Sequence, residues 1–374
     1  MGIVVREVKS RRDLKRYVKF PFKLYADNKV WAPSLRSDDI KSLSEDKNPA
    51  YEYCDTKSWI AYKDGKIAGR ITGIKNMRHV EKWGDKSLRF GWIDFIDDTE
   101  VSKALLERVE NWARELGMTS VIGPLGFTDL DKSGMLVEGF DEQTTIATIY
   151  NYAYYPEHLE LHGYQKDVDW IEFEGKVPSK ASEEINKIAL VAAERNKVRL
   201  LEVKNRKELL PYTKSMFDAF NESYSKLYGM IPLTEKQIDM YTKQYFSFIK
   251  PEFVAIVLDN RDRVVGFGIS VPSLSEAMRK AKGRLLPFGI FHLLRALKRN
   301  KIVDLYIIGV LPEYQGKGIN AIMINKLLNV YIDKGIKIAE TNPELESNIK
   351  VQMQWKYFET RQHKRRRCYR KNLG

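Results

Sequence analysis

The chain has 374 residues, 43% of them hydrophobic, which is enough to bury cores in two or three domains. It has no run of about 18 uncharged apolar residues, which excludes a spanning helix; residues 1–12 lack the apolar centre of an export signal, so a cytoplasmic location is expected. The net charge of +13, from 63 Lys and Arg against 50 Asp and Glu, suits nucleic acid, anionic lipid or a polyanionic small molecule without choosing among them. Cys54 and Cys368 make no metal-ligand spacing, and no metal site is expected.

In chain order, residues 3–8 read as a strand and 11–24 as a helix that Pro21 breaks late. A polar, proline-punctuated loop spans 31–53. Strands 58–62 and 67–74 flank the turn Lys63-Asp64-Gly65-Lys66, a hairpin signature. Strand 89–95 follows, then a helix over 101–116 with Leu105, Leu106, Val109 and Trp112 on one side and Gly117 as its stop, then strand 120–122. Segment 123–140 is glycine-rich and irregular, equally a binding lip or a surface loop. Residues 175–182 read as a linker, and helices follow at 183–198 and 207–224. The order then repeats: hairpin 253–258 and 264–271, strand 302–311, helix 320–334 stopped by Gly335, strand 336–340. Aligned on Gly117 and Gly335, the halves suggest a duplication, with domains at 1–177 and 178–374.

The stretch Leu305 to Tyr331, LYIIGVLPEYQGKGINAIMINKLLNVY, is an apolar strand, a glycine-containing loop and an amphipathic helix. Gln315-Gly316-Lys317-Gly318 puts flexible backbone where the helix starts, so unpaired amides and the positive end of the helix dipole can face one anion, and Lys317 adds a full charge. GxxxxGK[ST] is absent, so this is not a nucleotide-hydrolase loop. It resembles the coenzyme A pyrophosphate loop of the GNAT acyltransferase superfamily: Gln315 and Gly318 match the pattern, and Asn320 stands where Gly or Ala is usual.

The resemblance implies two tandem GNAT-like α/β (α+β) domains, each a mixed twisted sheet flanked by helices, with acetyl-CoA or another acyl-CoA as cosubstrate. It places the cofactor on Gln315, Gly316, Lys317, Gly318, Ile319 and Asn320, with the pantetheine arm along Gly309, Val310 and Leu311 and with Asn348 at the family's helix-start Asn. Gly309 fits a strand bulge. Asp304 and Glu340 are the candidate bases, and alternation puts Asp304 and Tyr306 on one face. Trp355 occupies the family's general-acid Tyr position, which leaves Tyr357 as the candidate acid. In the first half, Ile96 to Glu100 replaces the loop with acidic residues, so that copy should not hold a pyrophosphate.

The resemblance implies N-acyltransfer, with acetyl as the family's usual acyl group, to a small-molecule or peptide amine. The alternatives are a degenerate copy that binds acyl-CoA without turnover and an aminoacyl- or peptidyl-transferring relative with an RNA-linked donor. The insertion 272–300 is basic and apolar; a helical hairpin over the cleft is preferred to a membrane-surface segment at 279–301 because Pro287 and Gly289 break its face. The tail 361–371 is preferred as a basic edge strand of the last hairpin over a nucleic-acid surface.

Overall fold

The computed structural model describes residues 2–245 and 249–374. Among the described residues, fourteen strands form one sheet: β1 (Ile3–Glu7), β2 (Cys54–Lys63), β3 (Lys66–Asn76), β4 (Ser87–Phe95), β5 (Ser120–Gly123), β6 (Met135–Glu138), β7 (Gln165–Lys176), β8 (Arg199–Leu200), β9 (Val254–Leu258), β10 (Val264–Pro272), β11 (Ile302–Val310), β12 (Ile338–Thr341), β13 (Glu344–Leu345) and β14 (Thr360–Asn372). The order across it is β1-β2-β3-β4-β5-β14-β7-β12-β11-β10-β9-β8, with β6 beside β14 and β13 beside β7.

Read inward from each edge, the halves are the same object. Each starts with antiparallel strands and ends in a parallel pair, β4 with β5 and β11 with β12. A helix joins each parallel pair, Thr99–Glu115 in the first half and Ile319–Asp333 in the second. Parallel neighbours need such a crossover. One β-bulge recurs in equivalent strands. Between Arg70↔Asp94 and Thr72↔Gly91, β4 holds one residue more than β3; between Ile269↔Ile307 and Ser270↔Leu305, β11 skips Tyr306. The second bulge lies at Tyr306, not at Gly309, and it breaks the alternation expected for Asp304 and Tyr306, because an extra residue reverses the facing of everything on one side of it.

The helices bury one face each. Leu105, Val109 and Trp112 pack on Trp59, Ile71 and Phe90. Ile319, Met323 and Leu327 pack on Val257, Val265 and Phe267. A Cβ on Gly266 would lie 2.7 Å from Ile319, so that strand must carry glycine for the helix to approach. Prolines account for two departures from the sequence reading. Helix 11–24 divides into Arg11–Lys19 and Pro21–Leu24, and helix 207–224 into Arg206–Leu209, a turn at Leu210–Tyr212 and Thr213–Ser223.

The largest correction concerns the tail. β14 is no edge strand: it lies in the middle of the sheet, between β5 and β7, while β7 from the first half pairs with β12 of the second. Each half therefore contributes a long strand to the other's sheet. The charges follow from that position. Lys364 and Arg366 are fully buried, with Lys364 between Glu172 and Glu340, and with Arg366 on Glu172. The outer cations are paired too: Arg361 with Glu142 and Glu174, Arg365 with Glu138 and Asp169, Arg367 with Asp169, Arg370 with Asp85 and Asp167, and Lys371 with Glu110. The tail's positive charge serves the seam between the halves.

Candidate functional site

The parallel pairing of β11 with β12 stops at Leu305↔Thr341. Beyond it the strands splay, and side chains take over the carbonyls that β12 no longer reaches. Asn342 Nδ2 donates to Tyr306 O at 2.8 Å, the Tyr224 hydroxyl to Ile308 O at 2.9 Å, and Gln315 Nε2 to Val310 O at 3.1 Å. A strand residue directs its N–H and C=O to the same side, so the amides of Ile308 and Val310 also face the opening. Of the amides assigned to the pantetheine arm, Val310 is available. Leu311 donates to Val265 O at 3.0 Å, and Gly309 pairs with Phe267 on the opposite side. Ile308 is the residue that sequence reasoning missed.

At the wide end of the splay lies the glycine loop. Gly316 and Gly318 adopt φ of 74° and 83°, left-handed backbone that favours glycine. Among the described residues, no hydrogen bond within the protein uses the amides of Gly316, Gly318, Ile319 or Asn320. Gly318 caps the helix without a side-chain bond. Lys317 is exposed, with its Nζ 5.4 Å from the Tyr314 ring centre. Ile319 gives its side chain to the core and leaves only its backbone at the loop. The first half is the contrast. Asp98 Oδ1 accepts from Glu100 N and Val101 N at 3.1 and 3.2 Å, and the carboxylate pairs with Lys63, so this helix end is closed by its own acid.

Both halves line a cavity of about 1180 Å³. Its walls are mostly apolar, with Trp92, Leu125 and Ile146 from the first half and Phe217, Phe220, Ile307 and Ile324 from the second. Gly309, Val310, Gln315, Gly316, Asn320 and Asn348 open into it; Asp304, Glu340 and Tyr357 do not. Tyr357 is 49% exposed, beneath Lys356.

Of the carboxylates that line the cavity, Glu344 and Asp129 are the two raised to about 7. Glu344 follows the strand β12 and receives the Trp355 indole N–H at 3.0 and 3.1 Å on its two oxygens; burial pushes it up to about 7. Trp355 in place of a tyrosine therefore has a role that a sequence cannot show: it holds a carboxylate. Asp129, from the glycine-rich segment 123–140, presents its surface to the cavity and is also pushed up to about 7 by burial. That segment is a lip of the site. Tyr224 stands between the two acids electrostatically; burial first, then both carboxylates, raise its hydroxyl well above the ordinary tyrosine range.

Asp304 and Glu340 are register partners at the closed end of the splay. Asp304 is 1% exposed and pushed up to about 8, by burial first and then by Glu340; among the described residues its Oδ1 has no hydrogen-bond partner. Glu340 is pushed up to about 7 by burial, against the pull of Lys364, whereas Glu172, which has Arg366 as well as Lys364, is held below the usual glutamate range. The pair belongs to the buried seam. A carboxyl whose folded value is raised binds its proton more tightly in the native chain than in the unfolded one, so stability falls as pH rises, here from about 4 to about 8. Asp304→Asn is expected to flatten that fall, measured as the thermal midpoint of both proteins across this range; an unchanged slope would remove Asp304 from the account.

The comparisons agree with this geometry. Residues 213–351 match the acetyltransferase (GNAT) family. A tandem GNAT protein from the clavulanic acid biosynthesis pathway superposes with a TM-score of 0.56 at 10% identity, covering 100% of this chain and 99% of that one. The chain has the tandem GNAT fold. A GCN5-related N-acetyltransferase from Sphaerobacter thermophilus gives a TM-score of 0.53 at 11% identity over 99% of this chain and 95% of its own. By sequence, the chain is 28% identical to Protein YghO of Escherichia coli (strain K12) over 99% of this chain and 95% of that one. It is 26% identical to a protein named bacterial ceramide synthase from Caulobacter vibrioides (strain NA1000 / CB15N), over 82% of this chain and 80% of that one. The family match thus covers the second half, while the tandem fold extends over the whole chain. Among the described residues, no helix is long and apolar enough to cross a membrane.

Proposed function

We propose that the protein transfers a long-chain acyl group from an acyl-CoA to the amine of an apolar, lipid-like acceptor. The observation that carries this reading is the cavity: about 1180 Å³ of mostly apolar space opening at the splayed strand. Small-ligand sites span about 300–1,000 Å³, so the space suits two apolar chains side by side better than an acetyl group. The donor is accordingly read as long-chain where the sequence pointed to acetyl. The relative named a ceramide synthase supports the same acceptor class, since a ceramide is the amide of a long-chain amino alcohol.

The chemistry needs little machinery. The unpaired amides at Gly316, Gly318, Ile319 and Asn320, with Lys317, would hold the pyrophosphate, and those of Ile308 and Val310 would hold the pantetheine arm and the thioester carbonyl. The apolar walls favour the neutral amine over its ammonium form. The amine nitrogen attacks the thioester carbon, the C–N bond forms and the C–S bond breaks. Glu344 accepts the proton the nitrogen loses. With its value near 7, it can hand that proton to the leaving thiolate, whose affinity for protons is higher, at about 8.5 for an ordinary thiol. No separate acid is needed, which is consistent with a tryptophan at position 355.

Lys317→Glu tests the cofactor end. Gly318 is the poorer site, because any side chain there is strained and its Cβ would meet Ala192 at 2.8 Å. Lys317 is exposed, so the fold should be unaffected. Calorimetric titration is expected to show acyl-CoA binding weakened by about tenfold or more, as for loss of a charge-assisted bond to phosphate. Equal affinity in both proteins would place the pyrophosphate elsewhere.

A further inference from the structure

The insertion folds as two short helices, Ser275–Ala281 and Gly289–Lys298. Their facing sides pack through Ala277, Met278 and Leu293, with Leu35 and Ile146 of the first half against them. Leu274, Met278 and Leu293 also line the cavity. The outward side is apolar as well. Leu286, Phe288, Phe291 and Leu294 are 76%, 71%, 67% and 49% exposed. Phe288, Phe291 and Leu294 recur at helical spacing, and the same face continues into Arg295 and Lys298. Pro287 and Gly289 do not interrupt it, since the proline precedes the helix and the glycine starts it.

Charge decides what covers this patch. Between Glu276 and Asp304 the sequence holds no carboxylate and eight Lys and Arg. Of these, Lys282, Arg284, Arg295, Lys298 and Arg299 stand exposed around the apolar tip. Exposed apolar clusters of this kind mark interaction sites, and aromatic and aliphatic side chains ringed by cations match the boundary between acyl chains and anionic headgroups.

We propose that the insertion docks on the surface of an anionic bilayer, with Leu286, Phe288, Phe291 and Leu294 entering the acyl boundary and the surrounding cations on the headgroups. The back of the docking surface is a wall of the cavity. On the reading that the cavity takes lipid-like substrates, which this use of the surface rests on, the acceptor would cross from bilayer to site along apolar side chains. The docking itself is independent of that reading and is tested without turnover.

The experiment is co-sedimentation of the full chain with vesicles of phosphatidylcholine alone and of phosphatidylcholine mixed with phosphatidylglycerol in equal parts. The protein should pellet with the anionic vesicles, stay in solution with the neutral ones, and release as salt is raised. Phe288→Ser with Phe291→Ser should lower the partition by about tenfold or more for each ring removed from the bilayer. Arg295→Gln with Lys298→Gln should lower it by about fivefold for each charge. Unchanged thermal midpoints, expected for exposed positions, show that these proteins are folded. The proposal is overturned if the full chain ignores anionic vesicles or if the phenylalanine and charge variants bind as it does. It is equally overturned if light scattering finds a dimer that the phenylalanine variant dissociates, which would make a second copy the occupant.

Discussion

Glu344→Gln is expected to lower kcat by about 10²- to 10⁴-fold, the range of a general base, while leaving acyl-CoA binding intact, since its carboxylate is bonded to Trp355 and not to the glycine loop. The pH dependence sharpens the test. Glu344 must be ionised to accept a proton from the amine, and burial has pushed it up to about 7. The rate should therefore rise with pH through that value and then level, and this limb should be missing from the residual activity of the variant. Trp355→Phe removes the N–H that both carboxylate oxygens receive. It should move the limb to higher pH, because the lost hydrogen bond favoured the charged form. A Gln variant that keeps its rate within a few-fold, or keeps the limb, would show that the proton goes elsewhere.

Arg366→Met is expected to cost about 3–5 kcal/mol of stability, the usual result of removing one partner from a buried ion pair. Arg366 and Glu172 are both wholly buried at the centre of the sheet. Without the guanidinium, Glu172 keeps Lys364, which it already shares with Glu340. Because β7 and β14 each complete the other half's sheet, the loss should appear as one shifted urea transition for the whole chain, with little change in slope. A change below about 1 kcal/mol would mean that the seam tolerates an unpaired acid.

Much of this architecture was legible because it is local. The period-2 and helical patterns, the Asp-Gly turn and the glycine stops Gly117 and Gly335 marked both repeats, and Gln315 to Gly318 marked the glycine loop that opens the second crossover helix. What escaped depends on pairing between distant residues. Nothing near Arg361–Lys371 says that its neighbours are β5 and β7, so a run of cations read as an exposed edge when its members are the partners of Glu172, Glu174 and Asp169. The bulge at Tyr306 is invisible without β10 beside it. Asp304 and Glu340 stood out as acids on strands, yet parallel pairing buries them against one another. Glu344, two residues beyond an Asn342 that bonds the splayed strand, became a candidate only when Trp355 and the cavity wall were found around it. The apolar face of the insertion was legible, and the position of Pro287 before the helix was not.

The central claim, that the cavity accepts long apolar chains for N-acyl transfer, is tested most directly by measuring amide formation from acetyl-CoA, octanoyl-CoA and palmitoyl-CoA with one long-chain amino alcohol, with free thiol counted in parallel. The account predicts one thiol released per amide and kcat/KM climbing with chain length, by up to about fourfold per buried methylene until the cavity is filled. Acetyl-CoA serving as well as palmitoyl-CoA, or thiol release without amide, would contradict it.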